Sequence, residues 1–269
     1  MVPHRGPVGA RGVAAYTKGR VLMDRTARTI DGDRTRSHIG FRGFTAVPRA
    51  SPDVIRRLAA YAPPDLSDVM NGSYTVSPAI HPLYPLAGRI AGPAVTVAVP
   101  RGAFNVIKFA MEQTQRGDVL VVNACEIDSI AVWGGNVSKG MQRRGVAGVV
   151  IDGAARDPEE AHAVGFPVFA RTQATGSPPL EGPGEVNVPI ACGGVVVRPG
   201  DVVIADTNGI VVIPSEAAEW VLERVSELKS KHAQIQPVLE RGEVTNIAVI
   251  IAALRQQGFA VDGGSDGKP

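Results

Sequence analysis

Apolar residues follow two periods along this chain. Between Leu86 and Pro100, most clearly in AGPAVTVAVP, β-branched and small apolar residues alternate until a proline stops the run, which predicts a strand. From Asn105 to Gln115, Val106, Phe109, Ala110 and Met111 recur at helical spacing, and Gly117-Asp118 closes the segment. Val119 to Val122 and Val146 to Ile151 are short continuous apolar runs of the kind a buried strand shows. Strand, helix, strand in this order predicts parallel pairing through crossover helices. Between the two runs, Gly134-Gly135 reads as a turn and Asn136 as a candidate N-cap for a short amphipathic helix. Its basic end, Gln142-Arg143-Arg144, suits a helix C-terminus, and Gly145 stops it. Asp152-Gly153 reads as a turn after the strand, with Arg156-Asp157 in the loop beyond.

The same reading extends in both directions. Ser51-Pro52-Asp53 opens a helix with Val54, Leu58, Ala59 and Tyr61 on one side, ended by Pro63-Pro64, and Asp65 to Met70 is a second helical start. Pro158 to Val164 is a short helix with an acidic first turn, and Pro167 to Ala170 a strand. Arg171 to Gly184, rich in Thr, Ser, Gly and Pro, is a loop able to edge a pocket. Val186 to Pro214 predicts three short strands, with turns at Arg198–Asp201 and Asp206–Gly209. Helices follow from Ser215 to about Glu240 and from Val244 to Gln256. Periodicity therefore predicts the α/β class with a mixed sheet. The division is a basic extension over 1–50, one folded domain over 51–262 and a polar tail over 263–269.

Composition narrows the class. Of 269 residues, 44% are hydrophobic and 20% charged, ordinary for a soluble globular protein. No apolar run reaches the roughly 18 residues a membrane-spanning helix needs. Cys125 and Cys192 lack the number for a disulfide framework and the spacing for a metal site. Both lie beside apolar runs and read as buried free thiols, which fits a reducing cytoplasm. The net charge of +2 hides an asymmetry: residues 1–50 hold ten Lys and Arg against three Asp and Glu, and the remainder eighteen against twenty-three. The folded body is thus mildly acidic and does not suggest a nucleic-acid interface. The leader reads as a disordered extension or an upstream start, with a nucleic-acid-binding arm or a targeting segment as alternatives.

The candidate chemistry gathers in Trp133 to Asp157, WGGNVSKGMQRRGVAGVVIDGAARD. The amides of Gly134, Gly135, Asn136 and Val137 at a helix N-terminus suit an anion, Arg156 offers a planar fork, and Asp157 offers hard oxygen ligands. Against this stands a plain strand-to-helix turn that uses glycine for packing. The five histidines are scattered, without metal or triad spacing, and Ser138 sits in no nucleophile elbow. Asp201 and Asp206 occupy turns and are expected to bind backbone. Trp133 is expected as a core or interface anchor, Asp68 as a helix cap or a residue reaching the site, and Lys139 as a solvated amine rather than a Schiff-base lysine.

The WGG turn, RGVAGVVIDGAARD and NVPIACGGVVVRPGDVVIADTNGIVVIP together resemble the family of 4-hydroxy-4-methyl-2-oxoglutarate/4-carboxy-4-hydroxy-2-oxoadipate aldolases and the regulator of ribonuclease E activity A, over roughly Ser51 to Arg255. The resemblance implies a compact sandwich like the swivelling phosphohistidine domain, joined as homotrimers or hexamers with sites near the interfaces. It implies a divalent-metal-dependent lyase on small 2-oxo acids, acting by retro-aldol cleavage to pyruvate or by oxaloacetate decarboxylation. By the same resemblance Asp157 holds Mg²⁺ or Mn²⁺, Arg156 contacts substrate, and the turn at Gly134, Gly135, Asn136 and Val137 takes the carboxylate. One departure is visible: family members with aldolase activity carry an acidic residue twenty-one positions before the arginine, and here that position is Gly135. Glu159, Glu160, Asp68 or a neighbouring subunit could supply the missing carboxylate. The rival readings are a non-enzymatic interaction protein resembling the ribonuclease E regulator, and a lyase of altered specificity for sugar acids or other hydroxy acids.

Overall fold

In the computed structural model the described residues are 38–243 and 245–260, so most of the basic leader and the whole tail over 263–269 lie outside them. The chain divides into Met1–Ile39 and Gly40–Pro269, and the second unit carries the fold. Its centre alternates strand and helix: β3 (Ile90–Ala98), α3 (Phe104–Gln113), β4 (Val119–Asn123), α4 (Gly135–Arg144), β5 (Gly148–Ala155), α5 (Pro158–Ala163) and β6 (Val168–Gln173). Each strand pairs in parallel with the next. A parallel neighbour is reached only by a crossover, and the uniform hand of such crossovers puts the three helices on one face.

The period of two along each strand then sorts the side chains. Val95, Val97, Leu120, Val122, Val149 and Ile151 turn toward the helices and pack on Ile107, Ala110, Met141 and Ala161. Ala94, Val119, Val121, Val150 and Phe169 turn the other way, into a second apolar cluster. That cluster is closed by a second set of strands: β8 (Ile190–Cys192), β9 (Val195–Val197), β10 (Val202–Asp206) and β11 (Gly209–Ile213). Flanking the parallel strands, β1 (Phe41–Gly43) pairs with β7 (Gly184–Val186), β7 runs antiparallel on β3, and β2 (His81–Pro82) runs antiparallel on β6, so the sheet is mixed.

One strand joins the layers. Ile90–Pro93 of β3 pair antiparallel with β10, whereas Ala94–Ala98 pair with β4. Val203 and Ala205 of β10 face the second cluster. Val202 and Ile204 face outward onto α1 (Pro52–Leu58), α2 (Pro63–Val69) and α6 (Ala218–Glu240) through Leu58, Leu66, Val221 and Val225. A last helix, α7 (Ile247–Gln256), buries none of its residues.

Several expectations are corrected. Asp152-Gly153 does not turn the chain: β5 continues to Ala155 with a register shift between Ile151 and Ala154. The carboxylate of Asp152 is held by Arg171 and by the Gly193 amide at 2.7 Å, partners remote in sequence. The region after Val186 holds four strands, not three. Pro63-Pro64 opens α2 instead of ending α1, a position where proline's missing N–H costs nothing. Asp68 lies inside α2 and caps nothing. Residues 40–50, assigned to the extension, belong to the body: β1 sits in the sheet and Arg49 pairs with the buried Asp118 at 2.7 Å. Cys192 is buried as expected, but Cys125 is exposed. The Asn123 side chain accepts the Cys125 amide at 2.7 Å and turns the chain outward there.

Candidate active site

The parallel strands β4, β5 and β6 end on one edge, and the loops that leave this edge build the site, as is usual for open α/β sheets. After β4 the chain reverses through two left-handed residues, Cys125 and Glu126 (φ 55° and 60°). It then runs parallel to the end of β5: Ala131 bridges Ala154, the Val132 amide donates to the Ala154 carbonyl at 3.0 Å, and the Arg156 amide donates to the Trp133 carbonyl at 2.9 Å. Trp133 is 1% exposed and stacks on Phe166, the core anchor its sequence position suggested. Its indole N–H donates to the Ser138 hydroxyl at 2.9 Å, and that hydroxyl donates to the Gly134 carbonyl at 3.1 Å. Ser138 is therefore a buried brace that ties the start of α4 to Trp133.

Gly134 and Gly135 meet Arg156 and Asp157 across this turn. A β-carbon on Gly134 would lie 2.8 Å from Asp157 Oδ2 and 3.3 Å from Arg156 Cγ. One on Gly135 would lie 2.6 Å from the Glu160 β-carbon. Gly134 has extended backbone, so room, not a special angle, is what it supplies. Asp157 itself is left-handed (φ 55°, ψ 47°), which is uncommon for a side-chain-bearing residue and clusters at functional positions. Its Oδ2 accepts the Gly135 amide at 3.1 Å and lies 3.6 Å from Arg156 Nε. Arg156 also donates from Nη1 to the Ser177 hydroxyl at 2.9 Å.

Gly134, Gly135, Arg156 and Asp157, singled out in the sequence, are thus adjacent, with two changes to the expected arrangement. The Gly135 amide is occupied by Asp157, and the cap of α4 is Gly134, not Asn136. The amides of Asn136 and Val137 meet no protein acceptor among the described residues. Lys139 pairs with Glu160 at 2.6 Å on a half-exposed surface, so it is not a desolvated amine. Arg156, Asp157, Pro158 and Glu159 open onto a depression of about 650 Å³. Its far side is formed by Asp128, Ser129, Gln173, Ala174 and Thr175. The segment over 171–184 was expected to be a loop edging a pocket; residues 171–173 instead extend β6 and Gly184 begins β7, while Gln173, Ala174 and Thr175 do edge the depression. Asp128 and Ser129 were not expected there; their only signal is a polar pair between two apolar stretches.

Among the described residues no three His, Cys, Asp or Glu side chains converge. The donor set fits a hard cation all the same, in one manner: Asp157 Oδ2 is engaged, and among the described residues no group is bonded to its Oδ1. One carboxylate beside open space suits Mg²⁺ or Mn²⁺ carrying waters and a chelating ligand, and does not suit an all-protein cage. The thiol of Cys125, on the neighbouring loop, is held above the ordinary thiol range by partial desolvation and by the Asp152 and Glu126 carboxylates. Asp201 and Asp206 bind backbone as expected: Asp201 accepts from Arg198 and Ser215, and Asp206 from Asn208.

The chain and its fold have counterparts among known proteins. A protein of Halalkalibacterium halodurans provisionally named 4-hydroxy-4-methyl-2-oxoglutarate aldolase is 34% identical over 208 residues, 77% of this chain and 97% of its own. The crystal structure of an uncharacterized protein from Pseudomonas syringae pv. tomato superposes with a TM-score of 0.64 at 25% identity, covering 73% of this chain and 96% of that one. The RNA-processing inhibitor RraA of Thermus thermophilus superposes with a TM-score of 0.53 at 31% identity, over 57% of this chain and 93% of its own. A family model described as RraA-like, Aldolase/RraA, matches residues 63–212, more than half the chain. The protein belongs to the RraA-like aldolase family.

Proposed function

We propose that the protein is a divalent-metal-dependent carbon–carbon lyase acting on small 2-oxo acids, by retro-aldol cleavage that releases pyruvate or by decarboxylation of oxaloacetate. The observation that carries this reading is Asp157: a left-handed residue whose carboxylate is held by the Gly135 amide, beside Arg156, in the lining of an open depression. Arg156 binds the substrate carboxylate through its planar fork, with the amides of Asn136 and Val137 as further donors. Asp157 would hold the cation through its unengaged oxygen. Mg²⁺ or Mn²⁺, when bound, supplies the Lewis acid that stabilises charge on the substrate's 2-oxo oxygen as the C–C bond breaks. Glu160, lying against Gly135, is the nearest candidate for the carboxylate that family aldolases carry at that position. The ribonuclease-regulator reading keeps the fold but gives the Arg156–Asp157 pair no task.

Two further assignments go with this function. The exposed apolar side chains Ile247, Val249 and Ile250 of α7 support assembly as a homotrimer or hexamer. Two free thiols, and the lack among the described residues of any helix long and apolar enough to cross a membrane, support a cytoplasmic site of action.

Pyruvate release from a panel of 2-oxo acids, with Mn²⁺ and with EDTA, tests the reading. Activity is expected only with the metal, and calorimetric Mn²⁺ binding is expected to vanish in Asp157→Ala. Full activity in EDTA, or unchanged Mn²⁺ affinity in that variant, removes the proposal.

A further inference from the structure

Arg156 is a long, partly exposed side chain, and Asp157 does not by itself fix where it points. Their nearest approach is 3.6 Å, from Nε to Oδ2, an ion pair too long for a hydrogen bond. The contact that does give the guanidinium a direction is with Ser177, whose hydroxyl accepts from Nη1 at 2.9 Å. That hydroxyl comes from 21 residues further along, on the segment between β6 and β7, and the segment is clamped on both sides of it. Ahead of Ser177, the Gly176 carbonyl accepts the Ala131 amide at 2.9 Å. Only glycine fits so close an approach: a β-carbon on Gly176 would lie 2.5 Å from the Ser129 carbonyl oxygen. Beyond Ser177, the Pro179 and Leu180 carbonyls accept the Phe104 and Asn105 amides at 2.9 and 3.0 Å, which satisfies two donors at the open start of α3. None of these backbone bonds uses the Ser177 side chain. Among the described residues the only partner of that hydroxyl is Arg156.

Resting on the lyase reading, we propose that Ser177 is the positioning residue of the site: its hydroxyl holds Nη1 and so aims the rest of the Arg156 fork at the substrate carboxylate. Nη2 has no acceptor among the described residues and is the donor left for that task. The gain is pre-organisation. An arginine loses rotamer freedom when it binds a carboxylate, and a side chain ordered beforehand spares the complex that loss. A hydroxyl suits the work better than a second carboxylate. It is neutral, so it does not compete with the substrate for the charge of the guanidinium, and its hold does not depend on what else the Asp157 carboxylate binds. Ordering of this kind favours the bound substrate and the transition state alike. Ser177 therefore acts on KM and not on kcat.

With the full chain and Mn²⁺, pyruvate release by Ser177→Ala is expected to show a KM about fivefold higher at an unchanged kcat, the scale of one long side chain left for the substrate to order. Ser177→Thr keeps the hydroxyl and is expected to recover most of that rise. Ser177 is exposed and the clamps around it are backbone bonds, so the urea midpoint of Ser177→Ala is expected to match wild type. Its calorimetric Mn²⁺ affinity is expected to match as well, because Asp157 keeps the Gly135 amide. Arg156→Lys supplies the decisive background, since it keeps a positive charge but has no Nη1. There the added Ser177→Ala is expected to leave KM where the lysine variant set it. Nitrogen-15 spectra of the arginine side chains need no substrate: rotation of the Arg156 Nη1 group is expected to be slow in wild type and fast in Ser177→Ala. An unmoved KM in Ser177→Ala, the same rise in the lysine background, or equally fast rotation in both proteins overturns the proposal. Any of these with an active wild type sinks the role of Ser177 alone. A wild type that releases no pyruvate from any 2-oxo acid sinks the lyase reading, and with it the substrate at which this arginine is aimed.

Discussion

Gly134 shows how an absent side chain sets the position of others. Its backbone is extended, so alanine meets no torsional strain there, yet an added β-carbon would press on Asp157 Oδ2 and Arg156 Cγ. Both side chains are partly exposed and can give way. Gly134 itself is buried, but the side chains that must move are partly exposed, so the expected outcome for Gly134→Ala is a stability change of about 1 kcal/mol or less by urea unfolding. On the proposed lyase reading, which gives Arg156 and Asp157 the chemistry, pyruvate release is expected to drop about tenfold or more, since small displacements of catalytic groups are expensive. An unaltered rate would mean that the close approach is mere packing. The glycine pair and Arg156-Asp157 were legible in the sequence because they lie within one continuous stretch whose local pattern fixes turn, helix and strand. The rim was less legible, because Asp128 and Ser129 come from a different loop and only the strand order brings them to the same edge. That Glu160 fills the space beside Gly135 depends on how α4 and α5 pack, which no local pattern states.

At the scale of elements, the start of α4 depends on a hydroxyl that the sequence offered only as a rejected nucleophile. Ser138 accepts the buried Trp133 indole N–H and donates to the Gly134 carbonyl, so one atom satisfies two groups that have no access to water. Ser138→Ala leaves the indole N–H without its partner, while the Gly134 carbonyl keeps the residue-138 amide at 3.1 Å, and the expected cost is about 1–3 kcal/mol of unfolding free energy. A double-mutant cycle with Trp133→Phe identifies the cause: the cost of losing the hydroxyl should shrink once no indole N–H needs an acceptor. Equal costs in the two backgrounds would mean that the indole N–H is not what the hydroxyl serves. Strands and helices with strong periodicity appear where the sequence puts them, whereas the Asp152-Gly153 pair misleads because its usual meaning is a turn. There Arg171 and the Gly193 amide hold the carboxylate, and the strand runs on through it. Such an override comes from partners 19 and 41 residues away, beyond any local signal.

For the whole molecule, the joint between layers is the turn that leads into β10. The Asp201 carbonyl accepts the Ala94 amide of β3 at 2.8 Å. Its carboxylate accepts the Arg198 amide at 2.7 Å and the Ser215 amide at 3.1 Å, where the chain enters α6. One residue thus touches the strand shared by both sheets, the β9–β10 turn and the outer helical layer. The side chain is 2% exposed, and burial pushes its carboxyl above the ordinary carboxylate range, although the two amides pull the other way. A carboxyl raised in the folded state binds its proton more tightly there than in the unfolded chain. Its contribution to stability is therefore fully present below the unfolded value near pH 4 and is lost as pH rises through the higher folded value. Asparagine does not titrate, so the stability of wild type minus that of Asp201→Asn isolates this group. The difference, from urea unfolding at a series of pH values upward from about 4, is expected to move against wild type as pH rises and then level off. A difference that moves in favour of wild type over the same range would mean that the Arg198 and Ser215 amides outweigh burial, and that this joint is held by a carboxylate that favours its charged form.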